Sequence, residues 1–309
     1  MNALTWFSEF RVRDGVVHYH QTGARIRVDA TLLCDVLAWL TYYVPIRLNA
    51  AVRRTFRPGP KLWFTPQAPP PWYLIWNASS WIGARSAADA EDADAAFYFE
   101  DATWGPGACL GSTPCINGEC TDVSKSEVAR VFERVFGYPL AINPETECGE
   151  AVEKSELNGA HDGRIIACPR PPQRERVYQR LIETGTDAYV EDLRTPCAGG
   201  APVVVFIKRR PRGDRFANHN TSVTLADPRR LFSRTELATI QTFAREMKLD
   251  WGGLDILRER GTGRLYIVDV NKTDMPPLAL PFVDKMRASR KLGAALGELV
   301  REFGQKRER

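Results

Sequence analysis

The sequence has little excess charge of either sign. Lysine and arginine total 42 against 38 acidic residues, a formal charge of +4 over 309 residues. A balance that slight and spread along the chain argues against nucleic acid as a partner, while a mildly basic cleft for a polyanion stays compatible with it. Long hydrophobic runs are also missing. The most apolar stretch, Thr31 to Val44, is shorter than the roughly 20 residues that cross a bilayer, and Asp35 interrupts it. No membrane span is therefore expected. Arg47, Arg53, Arg54 and Arg57 follow it, which permits peripheral contact with a membrane surface, but a core helix with a solvated basic end is the preferred reading. The first residues carry charges where a secretion signal needs an apolar core. Paired cysteines are absent too: the seven, at 34, 109, 115, 120, 148, 168 and 197, form no Cys-x-x-Cys pair, and no histidine follows at zinc-finger spacing. Scattered thiols in a reducing, cytoplasmic setting are expected, with Cys109, Cys115 and Cys120 alone close enough in sequence for a metal or disulfide.

What is present suits a chain of two or three packed units, 44% hydrophobic and 26% charged. The first 57 or so residues read as helical and amphipathic. A breaker run, RPGP and then PQAPPPW, ends near Trp72. KLWFT, YLIWN (residues 73–77) and AAFYFED (residues 95–101) read as strands around an alanine-rich, acidic, helix-compatible segment, which suggests a small α/β unit. GPGACLG, in the Gly- and Pro-rich stretch from Trp104 to Gly118, misses the dinucleotide fingerprint by one residue and has no strand feeding it. Ser124 with Glu127, and Ser233 with Glu236, read as capping boxes that open helices. Segments around Lys154, Val177–Ile182, Val203–Arg209, Leu254–Leu257 and Leu265–Val270 read as strands, and a last helix is expected from about Asp284 to Phe303. The expected organisation is an N-terminal helical segment (1–60), a small α/β unit (61–118) and a larger unit (119–309).

Chemistry concentrates toward the C-terminal end. In LYIVDVN, alternation sets Leu265, Ile267, Asp269 and Asn271 on one side of a strand. Polar groups in a strand fit for burial are costly unless hydrogen-bonded or on a cation. The charged turn RERGTGR reads as a hairpin connection that brings Asp255 beside Asp269 and Asn271. Three such oxygen ligands suit Mg²⁺ alongside phosphate oxygens. A general acid/base pair, or a hydrogen-bonded structural corner, fits the spacing as well. Lys154 ends a strand ahead of a loop holding Gly159 and Gly163, whose backbone could close over phosphates. It is not a P-loop, because GxxxxGK[ST] occurs nowhere in the chain. VVVFIKRRPRGDRFANHN ends a buried-looking strand with Lys208 and Arg210 on one face, before a loop carrying Asn218, His219 and Asn220.

Taken in order, these elements resemble the ATP-grasp superfamily, in particular its branch of ribosomal-protein glutamate ligases, over roughly Ser124 to Pro277. The resemblance implies an α/β (α+β) fold in which two α+β subdomains clasp ATP. It implies a Mg-dependent ligase that activates a small-molecule or peptide carboxylate as an acyl phosphate and joins it to an amine, with Mn²⁺ as an alternative metal. A phosphotransferase acting on a small molecule, or a catalytically silent nucleotide-binding protein, is the alternative. On this resemblance Lys125 and Lys154 hold phosphates. Gln179, Arg180, Leu181, Ile182 and Glu183 form the adenine-binding hinge, with Glu183 a candidate for the ribose. Lys208 and Asn218 also contact the nucleotide, Arg210 sits at the transferred group with Lys154, and Asp255, Asp269 and Asn271 hold the metal. His219 is a candidate base on the amine. The sequence departs from the family pattern at Asp269, where a glutamate is usual, at Arg180, which stands for the hinge glutamate, and at Lys272 and Thr273, where small residues are usual.

Overall fold

The computed structural model describes residues 9–19, 25–108, 113–160, 162–216 and 220–307. An antiparallel meander of β1 (Phe10–Arg13), β2 (Val16–Tyr19) and β3 (Arg25–Arg27) comes first, and helix α1 (Ala30–Phe56) follows it. The expectation of a helical N-terminal segment therefore fails over residues 10–19 and 25–27. Asp14 and Gly15 both take positive φ (52° and 72°) between register partners Arg13 and Val16, so this Asp-Gly pair makes a tight hairpin turn.

A four-stranded parallel sheet is built from β4 (Lys61–Pro66), β5 (Arg85–Ser86), β6 (Ala95–Phe99) and β7 (Cys115–Ile116), in the order β5-β4-β6-β7. The crossover from β4 is helix α2 (Leu74–Trp81), where the sequence reading expected a strand. Every residue from Leu74 to Ser80 is buried, and periodicity cannot tell a fully buried helix from a fully buried strand. The acidic segment expected to be helical is instead turns around β5.

Helix α3 (Lys125–Phe136) starts at Ser124, whose side chain accepts from the Glu127 amide, and ends at Gly137 in the left-handed region. The return half of a capping box is missing, because Glu127 pairs with Arg130. A small antiparallel sheet follows: β8 (Gly149–Ser155), β9 (Arg164–Cys168) and β10 (Arg176–Arg180), in the order β10-β8-β9. The larger antiparallel sheet contains β11 (Tyr189–Ala198), β12 (Ala201–Pro202), β13 (Val205–Pro211) and β14 (Ser222–Ala226). After α4 (Pro228–Leu231) and α5 (Arg234–Glu246) it is completed by β15 (Trp251–Arg258) and β16 (Leu265–Asn271), in the order β14-β13-β11-β15-β16 with β12 on β11. The Ser233–Glu236 capping box is complete in both directions. Helix α6 (Phe282–Arg307) closes the chain. The α+β class expected from the sequence is borne out.

The larger sheet has a core on each face. Val128, Val131 and Phe132 of α3 and Ile240 and Phe243 of α5 pack with Leu193, Val205, Leu254, Ile256 and Tyr266. On the other face Phe206, Val223 and Trp251 join Leu62, Phe97 and Ile116 of the parallel sheet and Leu292, Leu296 and Phe303 of α6. That second face changes character along its strands. On β13, Phe206 is followed by Lys208 and Arg210; on β15, Trp251 is followed by Asp255; on β11, Ala198 is preceded by Arg194 and Asp192. One end is a core and the other is a charged platform. The cysteines at 34, 115, 120, 148, 168 and 197 are free thiols, and Cys109 lies outside the described residues.

Candidate functional site

The β15–β16 hairpin forms as the sequence predicts, with Asp255 and Asp269 direct cross-strand partners and Asn271 opposite Gly253. The alternation expected along β16 is broken by a bulge after the Asp255–Asp269 pair, since Ile256 is opposite Ile267. Val268 is the extra residue. Its carbonyl accepts a hydrogen bond from Lys154 Nζ at 3.1 Å, so the bulge places a backbone acceptor next to the carboxylates.

Four cations and an amide converge here. Lys125, at the first turn of α3, puts Nζ 2.5 Å from Asp269 Oδ1 and 3.3 Å from Asn158 Oδ1. Arg194, on the strand beside β15, puts Nη1 2.6 Å from Asp255 Oδ2 and donates through Nε to Asp274 Oδ1 at 2.9 Å. With its oxygen turned to Arg194, the Asn271 amide accepts from Nη1 at 2.7 Å and donates to Asn158. Lys154 and Lys208 complete the set. Burial pulls the Lys154 ammonium down to about 8, against the attraction of Asp269. Burial, with Arg194 adding to it, also lowers Lys208. Burial opposes ionisation of Asp255, but Arg194 and Lys208 outweigh it and hold the carboxyl at about 2. Asp274 is pushed up by its burial against the pull of Arg194. Further along the platform Arg210 pairs with Asp192, and burial lowers its guanidinium.

The glycine loop after Lys154 is tied at both ends. Asp162 accepts from the Ser155 amide at 3.1 Å and pairs with Arg176. Arg176 and Arg164 both reach the fully buried Glu153. In mid-loop, the Asn158 amide nitrogen donates to Thr103 Oγ1 at 2.8 Å. The loop thus bridges the small sheet, the parallel-sheet unit and β16.

Gln179 and Arg180 end β10, and Leu181, Ile182 and Glu183 start the connection from the small sheet to the larger one. Their contacts run away from the carboxylates. The Arg180 amide donates to Leu140 O, and Ile182 O accepts from Arg215. Glu183 pairs through its side chain with Arg212 and Arg215, which outweigh burial and lower its carboxyl. Asn218 and His219 lie outside the described residues.

Sequence reading finds Arg194 only as the end of DLR (Asp192 to Arg194), which resembles the family's motif after the hinge, without giving it a role, and it misses Asp274 and Asn158. For Arg194 a signal existed: an arginine between Leu193 and Thr195 inside a strand, two residues from Asp192. Asp274 had none. It fits because β15 carries Gly253, where an added Cβ would stand 2.1 Å from Asp274 Oδ2.

Two carboxylates and an amide oxygen are hard donors of the kind Mg²⁺ takes, and Mn²⁺ shares that preference. The donor chemistry at Asp255, Asp269 and Asn271 therefore fits a divalent ion. Among the described residues no group of three or more His, Cys, Asp or Glu side chains is gathered for a metal, so the set depends on the amide and on oxygens from elsewhere. The surrounding ammonium and guanidinium groups suit a polyphosphate.

No family model matches the sequence, and no curated protein matches it. Among solved structures the chain is similar to D-alanine–D-alanine ligase from Bacillus anthracis complexed with ATP, at 12% identity, covering 80% of this chain and 99% of that one with a TM-score of 0.48. It is similar to the RimK domain protein ATP-grasp from Sphaerobacter thermophilus, at 15% identity, 78% and 99% coverage and a TM-score of 0.46. It is also similar to the ATP-grasp ligase PsnB complexed with a phosphomimetic variant of minimal precursor, Mg and ADP, at 14% identity and a TM-score of 0.38, covering 57% of this chain and 62% of the PsnB chain. The last two carry the superfamily name that the motifs suggest. At these scores the likeness assigns no activity.

Proposed function

We propose that the protein is an ATP-dependent ligase that activates a carboxylate as an acyl phosphate and couples it to an amine. The observation that carries this reading is the convergence of Lys125, Lys154, Arg194 and Lys208 on the Asp255–Asp269 pair. Such a site binds a multiply charged anion together with a divalent cation.

In this reading residues 119–309 form the catalytic unit, and residues 61–118 shape the substrate side, with Thr103 holding the Asn158 loop. Asp255, Asp269 and Asn271 would hold Mg²⁺ (or Mn²⁺), which supplies charge neutralisation at phosphate oxygens. Lys125 and Lys154 act as point charges on the phosphates, and the glycine loop excludes water above them. Arg194 fixes Asp255 as an anion, and Asp274 fixes Arg194. Arg210 offers a fork of donors to the transferred group once it leaves Asp192. Gln179, Arg180, Leu181, Ile182 and Glu183 form the hinge that holds adenine. Asn218 would contact the nucleotide. The chemistry needs positioning and electrostatics more than a covalent catalyst.

The test is thermal stability with and without Mg-ATP, for the wild type and for Asp269→Ala, followed by ADP release with carboxylates in the presence and absence of amines. Binding at a hundredfold excess over Kd adds about 2.7 kcal/mol. A wild-type shift that Asp269→Ala or a chelator removes supports the site, and ADP release that needs the amine supports the ligase. No shift at millimolar Mg-ATP defeats the reading, and ADP release without any amine replaces it with a phosphotransferase.

A further inference from the structure

Helix α1 is not the core helix that the sequence suggested. It runs for 27 residues and is long and apolar enough, by length and composition, to cross a membrane. One face is docked: Tyr42, Ile46 and Ala50 are buried, and the first two pack with Trp76, Trp81 and Met286. The Tyr42 hydroxyl donates to Pro277 O at 3.2 Å, and Lys285 Nζ donates to Ala38 O at 3.0 Å and Thr41 Oγ1 at 2.8 Å. The opposite face carries Leu33, Leu37, Val44, Leu48, Val52 and Phe56, all large, apolar and exposed, with Leu48 at 64% and Phe56 at 77%. They recur every four residues, with one seven-residue step from Leu37 to Val44, and make one stripe, roughly 35 Å long at 1.5 Å per residue. A soluble monomer seldom leaves so continuous an apolar strip in water.

The charge around the strip selects its partner. Residues 25–57 contain six arginines (25, 27, 47, 53, 54 and 57) and two acids, Asp29 and Asp35. This segment accounts for the whole +4 of the chain, so the excess is not spread along it as the sequence reading had it. Arg25 and Arg27 are exposed on β3 beside exposed Ile26 and Val28, ahead of the first turn, while exposed Arg53 and Arg57 stand at the last. The N-terminal end of the strip is basic, and at its C-terminal end Arg53 and Arg57 continue the line of Tyr42, Ile46 and Ala50, with Arg53 beside Gly83, so these two flank the strip from the docked side while staying exposed. Two copies paired through it, parallel or antiparallel, would set arginine against arginine. An anionic lipid surface instead meets apolar residues with acyl chains and arginines with phosphate headgroups. The docked face holds the helix on the protein body, which makes this an interfacial helix and not a span.

We infer that the exposed face of α1, with β3, docks the protein on bilayers containing anionic phospholipid. The inference is independent of the proposed ligase activity. The experiment is flotation of the full chain with vesicles of phosphatidylcholine alone and with about 30% phosphatidylglycerol, at low and high salt. The comparison includes Leu37→Ser/Leu48→Ser and Arg53→Gln/Arg57→Gln, with melting temperature as the folding check. Expected are binding to the anionic vesicles only, a loss of roughly tenfold or more in the leucine variant, and a salt-dependent loss in the arginine variant. No flotation of the wild type overturns the inference. So does flotation indifferent to both variants, binding that survives an alkaline carbonate wash as a spanning helix would, or a concentration-dependent dimer in the absence of lipid that Leu37→Ser/Leu48→Ser dissociates.

Discussion

Asp255 and Asp269 are direct register partners on β15 and β16, yet each is held by its own cation: Arg194 lies 2.6 Å from the first and Lys125 2.5 Å from the second. Two carboxylates this close repel unless such counter-charges stand by. The two cations come from different elements, a sheet strand and a helix start, so the pair records how α3 and β11 are seated as well as what the site can bind.

Removing one partner of this network should cost more than removing both. Asp255→Asn leaves Arg194 buried with Asp274 as its one remaining carboxylate partner and is expected to lower stability by on the order of 2–4 kcal/mol. Arg194→Met should act similarly, and the double variant should fall well short of the sum. Denaturant unfolding of the four proteins checks it. The pH dependence has a definite sign. The folded Asp255 carboxyl, at about 2, lies below its ordinary 3.8. Its contribution is therefore complete above about 4 and lost as pH falls through about 2.

Lys154 has the opposite linkage. Its ammonium titrates near 8 in the folded protein against an ordinary 10.5. Between these values the unfolded chain binds a proton that the folded chain releases, so stability rises with pH from 8 to 10.5 and the penalty is fully present at pH 7. Lys154→Met is expected to raise the unliganded melting temperature at pH 7, by on the order of 2–3 kcal/mol of stability, while weakening Mg-ATP binding. Wild-type Mg-ATP affinity should decline above pH 8. Titrations by calorimetry at pH 7 and 9 measure both effects.

Gly253→Ala tests the seat of Asp274. The new methyl would stand 2.1 Å from Asp274 Oδ2, forcing the carboxylate off Arg194. A loss of about 2 kcal/mol in stability, together with a weaker Mg-ATP shift, is expected. Adding Asp274→Ala to Gly253→Ala should recover part of the loss, because the clash is gone.

Asn158→Ala removes the loop's bonds to Asn271 and Lys125 and leaves the backbone bond to Thr103 in place. Global unfolding should shift little. Mg-ATP binding should weaken roughly tenfold, the equivalent of one polar contact, and limited proteolysis should cut the loop faster.

Much of the site was legible because it is local. The Asp-x-Asn end of β16, the Gly-bearing turn and the matching strand 14 residues upstream specify a hairpin without reference to the rest of the chain. What escaped was non-local or two-sided. Arg194 sits in a strand whose partners, β13 and β15, come later in sequence, so its apposition to Asp255 has no short-range signature. YLIWN has strand-forming side chains, yet burial on every side lets a helix form there. The N-terminal hairpin does carry a local signal, because the Asp-Gly step flanked by FRVR and VVHY specifies a tight turn. For α1 the apolar run up to Val44 was visible in sequence, but the helix continues through Pro45 to Phe56, and only the fold reveals which half of it is covered.

Helix α6 places Leu292, Leu296, Leu299, Val300 and Phe303 in the same core as Leu62, Phe97 and Ile116. The parallel sheet is thus encoded well ahead of the helix that seals it. On the ribosome, strands β4, β6 and β7 must wait with an apolar face uncovered until α6 has been made. An uncovered apolar face of this kind is an aggregation hazard during synthesis that the finished fold no longer carries.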